Sequence, residues 1–280
     1  MSSIEARNLS RRFGDVVAVD DLSFQVTSRE VVGLLGANGA GKTTTMRMLL
    51  GLISPSRGEA LIGGQPIARV DRRVMGYVPQ GLGLYPDLTV AENLQFAASS
   101  FGVSAPSLDD EGLGHIADMR VGAISLGSRR RLAFMVARCH DPSVLILDEP
   151  TSGVGPLGRA RLWETIRETA DSGTAVLVST HYMEEAEECD RVVLMARGRE
   201  VASGSVHEVI GDIRTVGVDG HVSEEALDEI GSRGGTVLMF DRGWRVVGLD
   251  VEEVREIVGP DTRVGTVAAS FEEAFVALSS

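Results

Sequence analysis

Apolar positions along the chain follow two recurring patterns. Residues 3–9 and 16–26 alternate loosely, the second stretch through Val17, Val19, Leu22, Phe24 and Val26, which predicts half-buried strands. Residues 31–35 (Val-Val-Gly-Leu-Leu) and 144–147 (Val-Leu-Ile-Leu) are compact apolar runs, short enough for strands buried on both faces. Further strands are predicted at 59–62, 74–78, 175–179 and 191–195. Helices are predicted at 41–50, 125–138 and 156–170, with a short acidic one at 183–189. Another begins at Thr89, where Glu92 three residues on completes a capping-box pattern. Residues 102–114 lack helical periodicity and read as a loop with a short helix. Strands alternating with helices predict an α/β fold around a parallel sheet.

Past Gly211 the pattern changes. A strand at 214–218, a helix at 223–230, strands at 236–240 and 244–247, a helix at 251–258 and a strand at 262–267 give the order βαββαβ, that of a ferredoxin-like domain. Asp241-Arg242-Gly243 is expected to turn the hairpin between the two middle strands. A last helix at 271–278 carries Phe271, Phe275 and Leu278 on one face. The expected division is an α/β domain over 1–211 and a small α+β domain over 212–280.

Composition narrows the function classes. The 280 residues carry a net charge of −13, which disfavours a nucleic-acid coat or a polybasic membrane anchor. A hydrophobic content of 43% is that of a folded globular chain. No stretch approaches the ~18 apolar residues needed to cross a bilayer. The first ten residues hold no apolar run and are expected not to form a signal peptide. A cytoplasmic protein is expected, with any membrane role requiring a separate partner. Cys139 and Cys189 are too few for a disulfide framework, and no CxxC suggests zinc. Of 27 basic residues a single one is lysine, Lys42.

That lysine lies in the strongest motif. Gly36-Ala37-Asn38-Gly39-Ala40-Gly41-Lys42-Thr43, followed by Thr44, sits between an apolar strand and a helix, the setting of a nucleotide-binding P-loop. Glycines let successive backbone N–H groups turn toward phosphate oxygens, and the helix N-terminus adds partial positive charge. Lys42 is expected at the β- and γ-phosphates, and the Thr43 hydroxyl on Mg²⁺. About a hundred residues on, the run 144–147 ends in Asp148-Glu149. An apolar strand ending in carboxylates places charge at the C-terminal edge of the sheet. Asp148 is expected to hold Mg²⁺ through its water shell, and Glu149 to orient an attacking water.

With four further motifs in order, the chain resembles the ATP-binding subunit of an ATP-binding cassette (ABC) transporter. Gln80 in Gly76-Tyr77-Val78-Pro79-Gln80 is similar to the Q-loop glutamine, and the resemblance implies a Mg²⁺ contact for it. Ser125-Leu126-Gly127-Ser128 stands where the signature LSGGQ lies, and Ser179-Thr180-His181 resembles the switch histidine. Phe13 in Arg11-Arg12-Phe13-Gly14 is similar to the aromatic that stacks on adenine. Residues 85–94, 151–156 and 180–187 resemble ATPases of ABC-2-type exporters. The resemblance implies a P-loop NTPase fold with a helical subdomain near 84–141. It further implies ATP hydrolysis at the γ-phosphorus, Mg²⁺, a polytopic membrane permease and a second ATPase subunit. Ser125 and Gly127 would contact the nucleotide of the opposite subunit, and the chain would be peripheral on the inner face of the cell membrane. A soluble or regulatory ABC ATPase with a degenerate signature is the alternative.

The chain departs from the family in three places. Leu126 replaces the first signature glycine, and Gly155 stands where the D-loop carries aspartate. The stretch between Asn93 and Ser125 is expected to be shorter than the usual helical subdomain, which contacts the membrane subunit. The first two changes fall on elements offered to the partner's nucleotide, whereas those acting on the chain's own nucleotide are intact. Both a homodimer and an asymmetric heterodimer are compatible with this pattern.

Overall fold

The computed structural model describes residues 2–211, 213–220, 222–240, 243–260 and 262–279. Two compact units emerge, 1–200 and 201–280, with the division earlier than the change of pattern near Gly211.

In the first unit, β1 (Ser2–Phe13) and β2 (Val16–Thr27) form a long antiparallel pair, and β4 (Arg57–Ile62) and β5 (Gln65–Pro66) extend it in the order β2-β1-β4-β5. A six-stranded sheet runs β10-β9-β3-β8-β7-β6. Its members are β3 (Val31–Leu35), β6 (Met75–Val78), β7 (Val144–Asp148), β8 (Ala175–Thr180), β9 (Arg191–Ala196) and β10 (Arg199–Gly204). The pairs β9/β3, β3/β8, β8/β7 and β7/β6 are parallel, so these five strands all point their carboxyl ends the same way. β3, β7 and β8 contain no exposed residue, as their apolar runs predict.

Helix α1 (Lys42–Leu49) contributes Met46, Met48 and Leu49 to a core that also takes Ile4 and Leu22 from the antiparallel sheet and Val32, Ile146, Leu177 and Val193 from the parallel one. A separate cluster joins Val90 and Leu94 of α2 (Val90–Phe101) to Leu132 and Met135 of α3 (Leu126–Arg138), with Leu113, Val121 and Ile124 between them. Every member of this helical lobe falls between Leu84 and Cys139. The stretch joining α2 to α3 is built of three single 3₁₀ turns, at Leu108–Glu111, Gly114–Ile116 and Val121–Ala123. Helix α4 (Pro156–Asp171) follows β7 and buries Leu162, Trp163 and Ile166.

The acidic stretch after β8 forms a 3₁₀ helix, Met183–Glu188, rather than an α-helix. Two elements carry weaker signals than the rest. β10 follows β9 through Arg197-Gly198, both with positive φ (51° and 83°), a tight hairpin turn without the usual asparagine. Its polar Arg-Glu-Val-Ala-Ser-Gly sequence hides the strand. Helix α5 (Val206–Ile210) is announced by a Ser205/Glu208 capping box.

The second unit takes in most of β10 and all of α5, then β11 (Thr215–Asp219), α6 (Glu224–Ser232), β12 (Thr236–Phe240), β13 (Gly243–Val247), α7 (Val251–Val258), β14 (Arg263–Val267) and α8 (Phe271–Ser279). The antiparallel sheet order is β12-β13-β11-β14, the interleaved arrangement of a ferredoxin-like βαββαβ unit. Its core gathers Val216, Val218, Ile230, Val246, Leu249 and Val254. Asp241 and Arg242, expected in the hairpin turn, lie outside the described residues.

The Thr89 capping box is present with both halves made: Glu92 N–H donates to Thr89 Oγ1 at 3.1 Å and Thr89 N–H to Glu92 Oε2 at 2.8 Å. The contact with Thr89 holds the Glu92 carboxyl below its ordinary pKa. Thr89→Ala removes one bond from the pair at the entrance to the helical lobe. The expected loss is about 1 kcal/mol, measured as a lowered urea midpoint.

Candidate nucleotide site

The parallel strands place the phosphate loop, Gln80, the Asp148-Glu149 pair and His181 at one edge of the sheet. Leu35 ends β3 opposite Thr180 of β8, and Asp148 ends β7 opposite Ser179. Gln80 follows β6, which pairs with β7 through Val78 and Leu147. Carboxyl ends of adjacent parallel strands are where an open α/β sheet leaves room for a ligand.

The loop between β3 and α1 is held by glycines that nothing else could replace. A Cβ on Gly36 would lie 2.3 Å from the Met195 carbonyl oxygen, and one on Gly41 would lie 2.6 Å from that of Ala18. Gly41 also caps α1 with φ 104° and no side-chain bond, so the first N–H groups of the helix keep their donors for a ligand. Lys42 is only 5% exposed. Its Nζ donates to the carbonyls of Gly36 at 2.6 Å and Ala37 at 3.2 Å, so the ammonium braces its own loop. Burial pulls its pKa below the usual ammonium range, and the charges of Glu149 and Asp148 oppose that shift.

Asp148 is buried, with Oδ1 accepting from Ser179 Oγ at 2.6 Å and from Thr43 Oγ1 at 3.3 Å. Glu149 is the next residue and has φ 50°, the left-handed region. For a non-glycine residue that conformation costs about 1–3 kcal/mol and persists only where the surroundings fix it. Here the Glu149 N–H donates to Ser179 O at 3.2 Å and to Ser179 Oγ at 3.0 Å. Its carbonyl accepts from Arg130 Nη1 at 2.8 Å. The turned backbone directs the carboxylate into the site: Oε2 accepts from Gln80 Nε2 at 3.3 Å, and Oε1 lies 3.3 Å from His181 Nδ1. The His181 ring leans on Tyr182, and the Arg159 guanidinium covers the other side chain of that pair, 4.4 Å from the Tyr182 ring centre.

A cleft of about 340 Å³ is lined by Asn38, Gly39, Gly41, Lys42, Thr43, Thr44, Gln80 and Glu149, with Ala18 of β2 completing its wall. Gly36, Ala37 and Ala40 shape the loop behind it. Phe13 ends β1, 47% exposed, with the Arg11 guanidinium 4.6 Å from its ring centre, and does not line the cleft. Ser125 and Gly127 lie elsewhere, beside a smaller pocket that Val154, Leu157 and Arg161 share. The Ser125 hydroxyl caps α3, accepting from Ser128 N–H at 3.2 Å.

The Thr43 hydroxyl, which lines the cleft, and the buried Asp148 carboxylate it bonds to are oxygen donors that suit a hard cation. Among the described residues no group of three acidic, histidine or cysteine side chains could cage a metal alone. An ion such as Mg²⁺, which keeps several waters and takes ligands from phosphate oxygens, needs no such cage. Two contributors escaped the sequence reading. Ser179 touches both carboxylate residues, and its place at a strand end beside His181 was the available signal. Arg130 is the middle of three consecutive arginines, residues 129–131, a composition that by itself reads as a solvated helix face, yet it is only 7% exposed.

A family model described as ABC transporter matches residues 19–152. Nod factor export ATP-binding protein I of Burkholderia lata is 45% identical over 222 residues, 75% of this chain and 73% of that protein. The chain belongs to the ATP-binding proteins of ABC transporters. Probable multidrug ABC transporter ATP-binding protein YbhF of Escherichia coli is 41% identical over 72% of this chain, which spans 37% of that longer protein. A solved ATP-binding subunit of an ABC transporter matches with a TM-score of 0.68 at 27% identity, over 92% of this chain and 100% of that one. As a member of this family the chain is an ATPase, and ATP-binding subunits of ABC transporters work with membrane permease components.

The two substituted positions, Leu126 and Gly155, occupy different surroundings. A Cβ on Gly153 would lie 3.0 Å from Leu126 Cδ2, so the leucine side chain leans over the D-loop of its own chain. Gly155 caps α4 with ordinary φ −67° and ψ 165°, makes no side-chain cap bond, and has no atom within 4 Å of where a Cβ would stand. Its missing side chain is therefore not a steric requirement. Gly155→Asp is expected to fit, to accept an N–H from the first turn of α4, and to stabilise the fold by a few tenths to about 1 kcal/mol. A rise in the urea midpoint checks this, and a fall would show that the position tolerates only glycine.

Proposed function

We propose that this chain is the energising subunit of an ABC-2-type exporter. It hydrolyses ATP through Glu149 and transmits the closure and reopening of an ATPase pair to a separate polytopic permease. The observation that carries the catalytic part is the posture of Glu149, held by its backbone so that the carboxylate stands between Gln80 and His181 at the edge of the phosphate loop. The exporter part is supported by the resemblance to proteins named for Nod factor export and multidrug transport.

In this reading the P-loop N–H groups and Lys42 hold the β- and γ-phosphates, releasing the Gly36 and Ala37 carbonyls that Lys42 now braces. Thr43 and Asp148 would hold Mg²⁺, together with Gln80, which lines the same cleft. The bound ion neutralises phosphate charge. Glu149 orients and polarises the attacking water, and His181 balances negative charge gathering on the γ-phosphoryl oxygens. Catalysis is mostly positioning and charge compensation. Phe13 supplies an exposed aromatic face for the adenine ring. Ser125 and Gly127 stand apart from this cleft, as they must if they serve the nucleotide of a second subunit. The chain is peripheral on the inner membrane face through its permease; no helix among the described residues is long and apolar enough to cross a membrane.

Lys42→Ala is expected to lose nucleotide binding, or hydrolysis by at least tenfold, because no other side chain supplies a cation at the loop. Glu149→Gln is expected to keep ATP affinity within severalfold while turnover falls at least a hundredfold. Equilibrium binding of a fluorescent ATP analogue and steady-state phosphate release measure the two effects. Normal turnover in Glu149→Gln would remove that residue from its role. Light scattering with MgATP on the Glu149→Gln chain separates the two assemblies: a dimer of identical chains would dispose of an obligate heterodimer.

A further inference from the structure

Arg130 is a buried cation whose hydrogen bonds go to backbone carbonyls. One arm of its guanidinium donates to Glu149 O at 2.8 Å and the other to Ser152 O. No carboxylate lies within ion-pair distance of it among the described residues. Burial lowers its pKa, and the charge of Glu149 is the largest influence opposing that shift. A buried guanidinium with two carbonyl acceptors three residues apart sets the shape of the turn that joins them.

That turn begins with a residue in the left-handed region, Glu149. Its N–H is held from β8 by Ser179, and its carbonyl is held from α3 by Arg130. Removing either hold lets the peptide rotate and swings the carboxylate away from Gln80 and His181. Arg130 also lies four residues after Leu126, so both project from the same face of α3. Leu126 covers Gly153 while Arg130 grips Glu149 and Ser152. The first turns of α3 thus clasp the 149–153 segment at three points, and the same helix carries Ser125 and Gly127 at its start.

We infer that Arg130 is a positioning residue for ATP hydrolysis: its two-armed grip on the Glu149 and Ser152 carbonyls holds the Glu149 carboxylate in its working posture and ties it mechanically to the signature-bearing start of α3. The inference rests on the role proposed for Glu149. The grip requires a planar fork, so a point charge does not replace it. A displacement of α3 is passed to the Glu149 peptide through the guanidinium rather than through solvent.

The test uses the full chain with Arg130→Lys, Arg130→Gln, Glu149→Gln and the Arg130→Gln/Glu149→Gln double variant. Arg130→Lys keeps the charge and the aliphatic stem, so it reports even where Arg130→Gln fails to fold. Both Arg130 single variants are expected to lower kcat ten- to a hundredfold while KM and the affinity for a fluorescent ATP analogue change less than threefold. Lysine is expected not to rescue. In the Glu149→Gln background, Arg130→Gln is expected to lower the residual rate less than twofold, because the residue acts through that carboxylate. Wild-type kcat in Arg130→Lys overturns the inference, as does a loss of nucleotide affinity as large as the loss of kcat, or a full additional loss in the double variant. Normal turnover in Glu149→Gln instead fails the catalytic reading itself, and the inference with it. A dead Glu149→Gln beside a fully active Arg130→Lys fails the inference alone.

Discussion

Burial of β3, β7 and β8 on both faces dictates where chemistry can occur. Strands without an exposed residue can present polar groups only where they end. Because the strands are parallel, the loops that leave them all begin at one edge. The phosphate loop, the Asp148-Glu149 pair and His181 meet there because each follows a different buried strand by one or a few residues. The same burial sets the cost of an error, since Asp148 and Lys42 are charges with almost no water and each depends on partners supplied by a neighbouring loop.

Those partners share very few atoms. One oxygen of Asp148 accepts from both Thr43 and Ser179, and the same Ser179 hydroxyl holds the Glu149 N–H. Lys42 occupies carbonyls of its own loop, which keeps an unneutralised ammonium from facing the mouth. Strain is placed where it is used: Glu149 alone of the site's non-glycine residues has positive φ, and hydrogen bonds from two directions fix it. In the proposed role the Glu149 posture is set before nucleotide arrives, while the Lys42 ammonium changes partners on binding, so catalysis rests on positioning.

The departures from the ABC pattern are better understood by their neighbours than by their identities. Leu126 replaces a glycine, yet its side chain packs over Gly153 rather than standing free. Gly155 forgoes a cap for α4 although the space for one is open. Both residues touch or flank the same turn that follows Glu149. The surroundings of both departures therefore include the segment that begins at Glu149.

Local pattern was enough for much of this. The apolar runs placed β3 and β7, alternation placed β1 and β2, and Thr89 with Glu92 placed the start of α2, because each depends on neighbours in sequence. The glycine-rich loop, the strand-end carboxylates and the βαββαβ order were legible for the same reason. β10 was not, since a polar edge strand lacks the apolar period and exists only because β9 offers it hydrogen bonds. The burial of Arg130 was not legible either: three consecutive arginines on a helix read alike, and only the packing of α3 against the turn after β7 chooses which one enters. The left-handed backbone of Glu149 likewise follows from Ser179 and Arg130, which are 30 and 19 residues away along the chain. Sequence by itself determined which chemical groups this protein carries and which strands bring them to an edge. Tertiary structure decided how they are held, because the holding bonds join segments that no local pattern connects.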